Sequence, residues 1–150
     1  MPGLGQFPGQ TMPTHLISIC VSKDRAAIMP RDGWPSVNWD CEPLRFCGLD
    51  EAVLAEAVDA AFRDAPRLRT YVGSEDLRNY RSPLERHLSR AEHRAFLRRA
   101  KLFHVAKLDR QSWQIQFLRW KAGSSFEPQG ESEIVVGEPS AIVRVIVSRL

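Results

Sequence analysis

The apolar residues of this chain repeat with two different periods, and this change of period limits the fold more than any other feature. In residues 15–21 and 113–118 apolar and polar or smaller residues alternate, as in strands of a half-buried sheet. In residues 53–62 they recur every three or four positions, as on one face of a helix. A chain of 150 residues can bury one substantial core. We therefore expect a single α+β domain over residues 14–150, an antiparallel sheet with two or three helices packed against it.

Capping residues set the predicted ends of the helices. Asp50 caps the first helix and Pro66 ends it, while the run 82–85 (Ser-Pro-Leu-Glu) is a capping box that begins a second helix reaching about Arg99. The inward side of that second helix is predicted to be formed by Leu84, Leu88, Ala91, Ala95 and Phe96. The β-branched segment 139–150 could be a strand, but Pro139 and a polar line four residues apart favour a helix.

Turns and loops are predicted from their own residue types. Residues 22–25 turn the first strand into a second at 26–29, which the Pro-Arg-Asp-Gly run 30–33 should end. Residues 102–106 form a further strand, and the polar, glycine-containing segment 123–133 is predicted to be a loop.

The sequence predicts neither a signal peptide nor a membrane-spanning segment. Residues 1–13 are rich in proline and glycine, lack a basic residue and are predicted to be a disordered tail. No run of about 18 apolar residues occurs, and three cysteines cannot all pair with one another. These features favour a cytoplasmic protein with reduced thiols and no membrane partner.

Patterns typical of catalysis or metal binding are absent from the sequence. His87 and His93 are six residues apart on the predicted helix, so they cannot hold one metal ion together. There is no Cys-x-x-Cys, no Gly-x-Ser-x-Gly and no glycine-rich phosphate loop before a helix. We expect neither an enzyme nor a cofactor, metal or small-molecule substrate. A rival enzyme reading needs His87 or His104 beside a carboxylate in a pocket.

Arginines recur every four residues along the predicted second helix, at Arg86, Arg90, Arg94 and Arg98. Each pair of like charges at this spacing costs about 0.2–0.5 kcal/mol. The ladder could contact phosphate groups or an acidic protein, and it could also be a solvated helix face. An alternative function follows from it, a nucleic-acid-binding or regulatory module. The net charge of only +3 and the lack of exposed aromatic residues on the helix make nucleic acid the weaker choice.

Acidic residues gather in two segments beside aromatic side chains. Asp32, Asp40 and Glu42 surround Trp34 and Trp39. The second segment, around Phe126, carries Glu127, Glu131 and Glu133 and no basic residue. Such groupings are typical of an interface with a basic protein, although solvated loops would look the same.

Several segments together resemble one group of bacterial immunity proteins of contact-dependent growth inhibition. Residues 18–23 and 29–33 look like the opening hairpin of that group, and residues 48–53 with 57–60 look like its following helix. Further similarity lies in the pairs Arg94-Ala95 and Leu102-Phe103, in residues 130–136, and in the C-terminal Ser148-Arg149-Leu150. The resemblance implies a protein that performs no chemistry. It would bind a cognate toxin domain, commonly a nuclease with a basic surface, and block its active site or substrate surface.

Overall fold

The computed structural model describes residues 13–33, 39–66, 80–121 and 125–150, and within them an antiparallel sheet carries helices on both faces. The strands are β1 (His15–Ser22), β2 (Arg25–Asp32), β3 (Trp39–Asp40), β4 (Arg45–Gly48), β5 (Lys101–Lys107), β6 (Ser112–Lys121), β7 (Ser125–Pro128) and β8 (Glu133–Val136). The helices are α1 (Glu51–Asp64), α2 (Pro83–His87), α3 (Arg90–Arg98) and α4 (Pro139–Ser148). The predicted α+β class is confirmed.

The strands follow the order β3-β2-β1-β5-β6-β7 across the sheet. β4 pairs with the first half of β2, next to β3, and β8 pairs with the first half of β6, next to β7. Each edge of the sheet is therefore built from two short strands, and the long strands β1 and β5 lie in the middle.

One face of the sheet is covered by α1 and α4. Asp50 accepts hydrogen bonds from the amides of Ala52 and Val53 at 3.0 and 3.2 Å, so the predicted cap of α1 is confirmed. The predicted C-terminal helix is also confirmed, and Pro139 occupies its first turn. Both helices bury their apolar stripes on β1, β2, β5 and β6, although Val53, expected to face inward, is 46% exposed.

The opposite face carries α2 and α3 over a smaller apolar cluster. Leu84, Phe96 and Ala100 cover side chains of β1, β2, β5 and β6, namely Cys20, Ala27, Met29, Leu102 and Leu118. Burial raises the pKa of the Cys20 thiol far above its usual value, so this cysteine behaves as a small apolar side chain. No helix within the described residues is long and apolar enough to span a membrane.

The prediction of one continuous second helix was wrong. α2 ends at His87, and Ser89 begins α3 with its own capping box. Ser89 Oγ accepts from the Glu92 amide at 3.1 Å, and a Glu92 carboxylate oxygen accepts from the Ser89 amide at 3.0 Å. This break rotates the later turns, so Ala91 and Ala95 are exposed instead of facing inward.

Two strand boundaries were also predicted wrongly. β2 continues through Pro30 to Asp32 instead of ending at residue 29. The carbonyl of Pro30 accepts a hydrogen bond from the Cys41 amide at 2.7 Å, so it points away from β1. In a strand the nitrogen of a residue points to the same side as its carbonyl. The missing N–H of Pro30 therefore removes no hydrogen bond between β2 and β1. Part of the predicted loop 123–133 is strand β7, which pairs with the end of β6. The predicted tail at 1–13 lies outside the described residues except for Pro13, which is buried.

Candidate interaction surfaces

Four polar side chains from distant parts of the chain form a network on the α2/α3 face of the sheet. Ser18 on β1 donates a hydrogen bond directly to the Asp40 carboxylate on β3. The Arg31 guanidinium on β2 donates to Ser18 Oγ at 2.8 Å and lies 3.3 Å from the same carboxylate. The ring of His104 on β5 contacts that guanidinium through Nε2. The strand register produces this meeting, since Ser18 stands opposite His104 and Arg31 opposite Asp40.

The electrostatics of the network keep His104 neutral. Burial and the neighbouring Arg31 charge lower the pKa of His104 well below its usual range. Burial also lowers the pKa of Arg31, and the Asp40 charge opposes that shift. A neutral imidazole with its Nε2 lone pair toward the guanidinium is an acceptor for Arg31.

The network contains Ser, His and Asp but is not arranged as a hydrolytic triad. A nucleophilic serine gives its proton to histidine, which a carboxylate then orients. Here Ser18 gives its proton to Asp40, and the Nε2 of His104 faces an arginine. Ser18 is also fully buried, so a substrate cannot reach its oxygen. The geometry fits a structural role.

An open cleft of about 400 Å³ lies beside this network, between β3 and the start of α2. Trp39 and Tyr80 stack with their ring centroids 5.3 Å apart, and the Tyr80 hydroxyl donates to the Asp40 carbonyl at 3.0 Å. Burial and Asp40 raise the pKa of Tyr80, so this hydroxyl stays protonated. The wall of the cleft is completed by Cys41, Glu42, Arg81 and Arg86.

The first predicted acidic group is divided among three environments. Asp32 is buried and accepts from the Gly33 amide at 2.8 Å, and Asp40 belongs to the network. Glu42 is exposed at the cleft, where Arg86 lies 3.1 Å and His87 3.0 Å from its carboxylate. Trp34, predicted with them, lies outside the described residues.

The second predicted acidic group lies at the other edge of the sheet. Glu127 on β7 pairs with Lys121 at 3.1 Å, and Glu133 at the start of β8 pairs with Arg149 beyond α4. Glu131 lies between them and is exposed. The β2, β1, β5 and β6 strands separate the two groups, a path of roughly 24 Å across the sheet at the usual strand spacing. The two acidic groups therefore do not form one surface.

The predicted arginine ladder is likewise divided. Arg86 belongs to α2 and turns toward Glu42, whereas Arg90, Arg94 and Arg98 remain in register on α3. These three side chains are exposed. We call them the arginine ridge. Among the residues that the structure describes, no carboxylate lies within ion-pair distance of the ridge.

One requirement of the enzyme alternative is partly met by His87, which lies beside the Glu42 carboxylate. The His87 side chain is 52% exposed and that of Glu42 is 37% exposed. Arg86 shares the same carboxylate. A histidine and a carboxylate that act as acid and base are usually enclosed in a cleft, whereas this pair is exposed. In the described ranges, no three histidine, cysteine or acidic side chains stand close enough to hold a metal ion.

Sequence reasoning missed the buried network and the Trp39–Tyr80 stack. Ser18 and His104 do carry a weak signal, because each is a polar residue inside an otherwise apolar strand. Tyr80 follows the segment 67–79, which lies outside the described residues and which the sequence marks only as a connection. Neither residue type nor spacing connects it to residue 39.

Comparison with solved structures shows what this fold is similar to. Over 93% of this chain and 99% of the other, it is similar to a chain of the CdiA-CT/CdiI toxin and immunity complex from Yersinia pseudotuberculosis, with a TM-score of 0.66 and 18% sequence identity. A protein of unknown function from Neisseria meningitidis is similar over 96% of this chain and 99% of its own, with a TM-score of 0.66 and 15% identity. No protein-family model and no curated protein matches the sequence. The resemblance inferred from sequence motifs is thus confirmed for the fold.

Proposed function

We propose that this chain is an immunity protein that binds a cognate toxin domain of contact-dependent growth inhibition and neutralises it. The observation that carries the proposal is the end-to-end structural similarity to a chain of a toxin and immunity complex, which covers 93% of this chain and 99% of the other. Sequence motifs spread from residue 18 to residue 150 point to the same family. Both arguments concern the whole chain rather than one local motif.

In this proposal the protein acts by occlusion and performs no chemistry. The buried polar side chains of the network, Ser18, Arg31, Asp40 and His104, are hydrogen-bonded to one another. A protein of this kind needs a surface complementary to its partner, and affinity then comes from a few desolvated contacts surrounded by matched charges.

We further propose that the toxin is a nuclease and that its basic surface meets the acidic edge formed by Glu127, Glu131 and Glu133. Exposed ion pairs are weak, about 0–1 kcal/mol, so the pairs with Lys121 and Arg149 can be exchanged for pairs with a partner. Glu131 is exposed on the same edge. An acidic edge can imitate the phosphates that a nuclease binds, and it would thereby cover the substrate surface.

Co-expression with the toxin domain encoded directly upstream tests the main proposal. The toxin alone should stop growth, and this chain should restore it, while the purified proteins should form a complex. A variant of this chain that is unfolded by disruption of its core serves as the negative control. Continued killing in the presence of soluble chain would contradict the immunity function.

Charge reversal tests the acidic edge by itself. Replacing Glu127, Glu131 and Glu133 by lysine should weaken toxin binding by about 10- to 100-fold, because like charges would then face each other. The matched control replaces three other exposed acids, Asp24, Glu56 and Asp59, by lysine and changes the net charge equally. Equal affinities of the two variants, measured by calorimetry, would remove this edge from the interface.

A further inference from the structure

The outward side of α3 is a strongly basic surface for which the described residues provide no ion-pair partner. Phe96 is the buried residue of α3, at 5% exposure, and it anchors the helix on the sheet. At 100° per residue, Arg94 lies about 160° around the axis from Phe96, and Arg90 and Arg98 lie within about 40° of Arg94. The three guanidinium groups therefore extend away from the sheet along about 12 Å of helix.

Nothing described in the molecule neutralises this ridge. Glu92, the acid within α3, is held by Ser89 in the capping box, and those hydrogen bonds lower its pKa. By the helical period it lies on the other side of the helix from Arg94. Each like-charge pair in the ridge costs about 0.2–0.5 kcal/mol in the free protein. A partner that brings carboxylates would relieve this repulsion, and so binding would be favoured.

The same side of α3 is also open to close approach. Ala91 and Ala95 are exposed beside the ridge, and their methyl groups leave room for the backbone or short acidic side chains of a partner. The helix is anchored beneath at Phe96, since Arg25 lies 4.4 Å from the Phe46 ring centroid and 5.4 Å from that of Phe96. A row of cations beside small side chains is suited to close contact with acidic side chains.

We propose that the arginine ridge, together with Ala91 and Ala95, binds an acidic surface of the toxin domain. This inference rests on the proposed immunity function and adds a second contact to it, on a different part of the molecule from the acidic edge. Arginine forms paired hydrogen bonds with carboxylates, so the ridge would fix the orientation of the toxin and accelerate its association.

An acidic protein surface fits the ridge better than nucleic acid does. Three arginines can neutralise about three phosphates, which supports only weak binding that salt removes easily. The ridge also offers no aromatic ring on which a base could stack, since Phe96 is buried beneath the helix. A protein partner needs only matched charge and shape over this short length.

The test compares two variants that lose the same charge. In the ridge variant, Arg90, Arg94 and Arg98 are replaced by glutamine, and in the control variant the exposed Arg63, Arg110 and Arg144 are replaced by glutamine. Association with the purified upstream-encoded toxin domain is followed by stopped flow at about 50 mM and about 500 mM salt. We expect the ridge variant to associate about 10-fold more slowly at low salt and the control within about threefold of the wild type.

Each outcome decides between the proposals. Equal association rates for the two variants would overturn the role of the ridge while leaving the immunity function intact. Failure of the wild type to bind the toxin would overturn both. Tight binding of an oligonucleotide of about 20 nucleotides by the wild type, lost in the ridge variant, would show that nucleic acid is the ligand instead. Glutamine is a good helix former, so the ridge variant should melt at or above the wild-type temperature.

Discussion

The two faces of the sheet differ in what their helices contribute. Among the described residues, sixteen buried apolar residues form the core between the sheet and α1 and α4, whereas eight form the cluster under α2 and α3. The buried charges of the network and the exposed arginine ridge belong to the second face. The α1/α4 face therefore supplies most of the burial that stabilises the fold, and the α2/α3 face carries the buried network and the arginine ridge.

The charges of α1 and α3 show the same difference. On α1, Arg63 lies 3.6 Å from Asp59, and Asp64 pairs with Arg45 of β4. On α3, no such partner for the ridge occurs among the described residues. The charges of α1 are thus paired within the chain, whereas the ridge would be matched by the acidic partner that we propose.

Removing one large side chain from each face should change the free energy of unfolding most, and it tests directly which face stabilises the fold. Phe103→Ala empties a site with no exposure in the main core and should lower the free energy of unfolding by about 3–5 kcal/mol. Phe96→Ala should cost less, about 1–3 kcal/mol, because the nine-residue α3 can shift to fill the space. Urea unfolding measures both, and an equal or larger loss for Phe96 would refute the assignment of stability to the α1/α4 face.

The buried network should make stability depend on pH on the α2/α3 face. His104 has a lowered pKa in the folded protein and an ordinary one, about 6.5, in the unfolded chain. Between those values the unfolded chain binds a proton that the folded protein does not, so the free energy of unfolding falls as the pH drops below about 6.5. The slope approaches about 1.4 kcal/mol per pH unit.

Two histidine variants separate this effect from other titrations. His104→Gln should remove most of the slope between about pH 6.5 and 5, and His93→Gln on α3 is the matched control for the loss of a histidine. The measurement is urea unfolding at a series of pH values. If the His104 variant retained the full slope, another group would be responsible.

The second capping box should have a smaller and more local effect. Ser89→Ala removes the acceptor of the Glu92 amide and should destabilise α3 by about 0.5–2 kcal/mol. Because α3 rests on few apolar contacts, its amides should exchange hydrogen faster while those of α1 stay protected. Exchange that accelerated equally in both helices would show that the two faces unfold as one unit.

Local patterns were sufficient where the residue and its partner are neighbours in the chain. Asp50 and the apolar stripe after it predicted α1 correctly, and Pro139 with the polar line behind it predicted α4. The break between α2 and α3 was missed because the apolar spacing continues across it. The signal was present, since Ser89 and Glu92 repeat the spacing of Ser82 and Glu85.

The candidate site was much less predictable from the sequence. Asp32, Asp40 and Glu42 are close in sequence and were grouped together, yet strand pairing buries the first, places the second in the network and exposes the third. Arg86 was grouped with the ridge, but the helix break turns it toward Glu42. Proximity along the chain therefore misjudged which charges act together.

The amino-acid sequence by itself determined the types of the elements, the caps of α1 and α4, and the resemblance that the fold confirms, because period and capping depend on residues a few positions apart. The tertiary structure alone decided which charges meet. Ser18 and Arg31 are 13 positions apart and Arg31 and His104 are 73 apart, and only the register of three strands brings them into contact. The same packing left Arg90, Arg94 and Arg98 pointing outward without a carboxylate among the described residues. A charged side chain is compensated by the opposite charges close to it in space, and the pairing of the strands sets those distances.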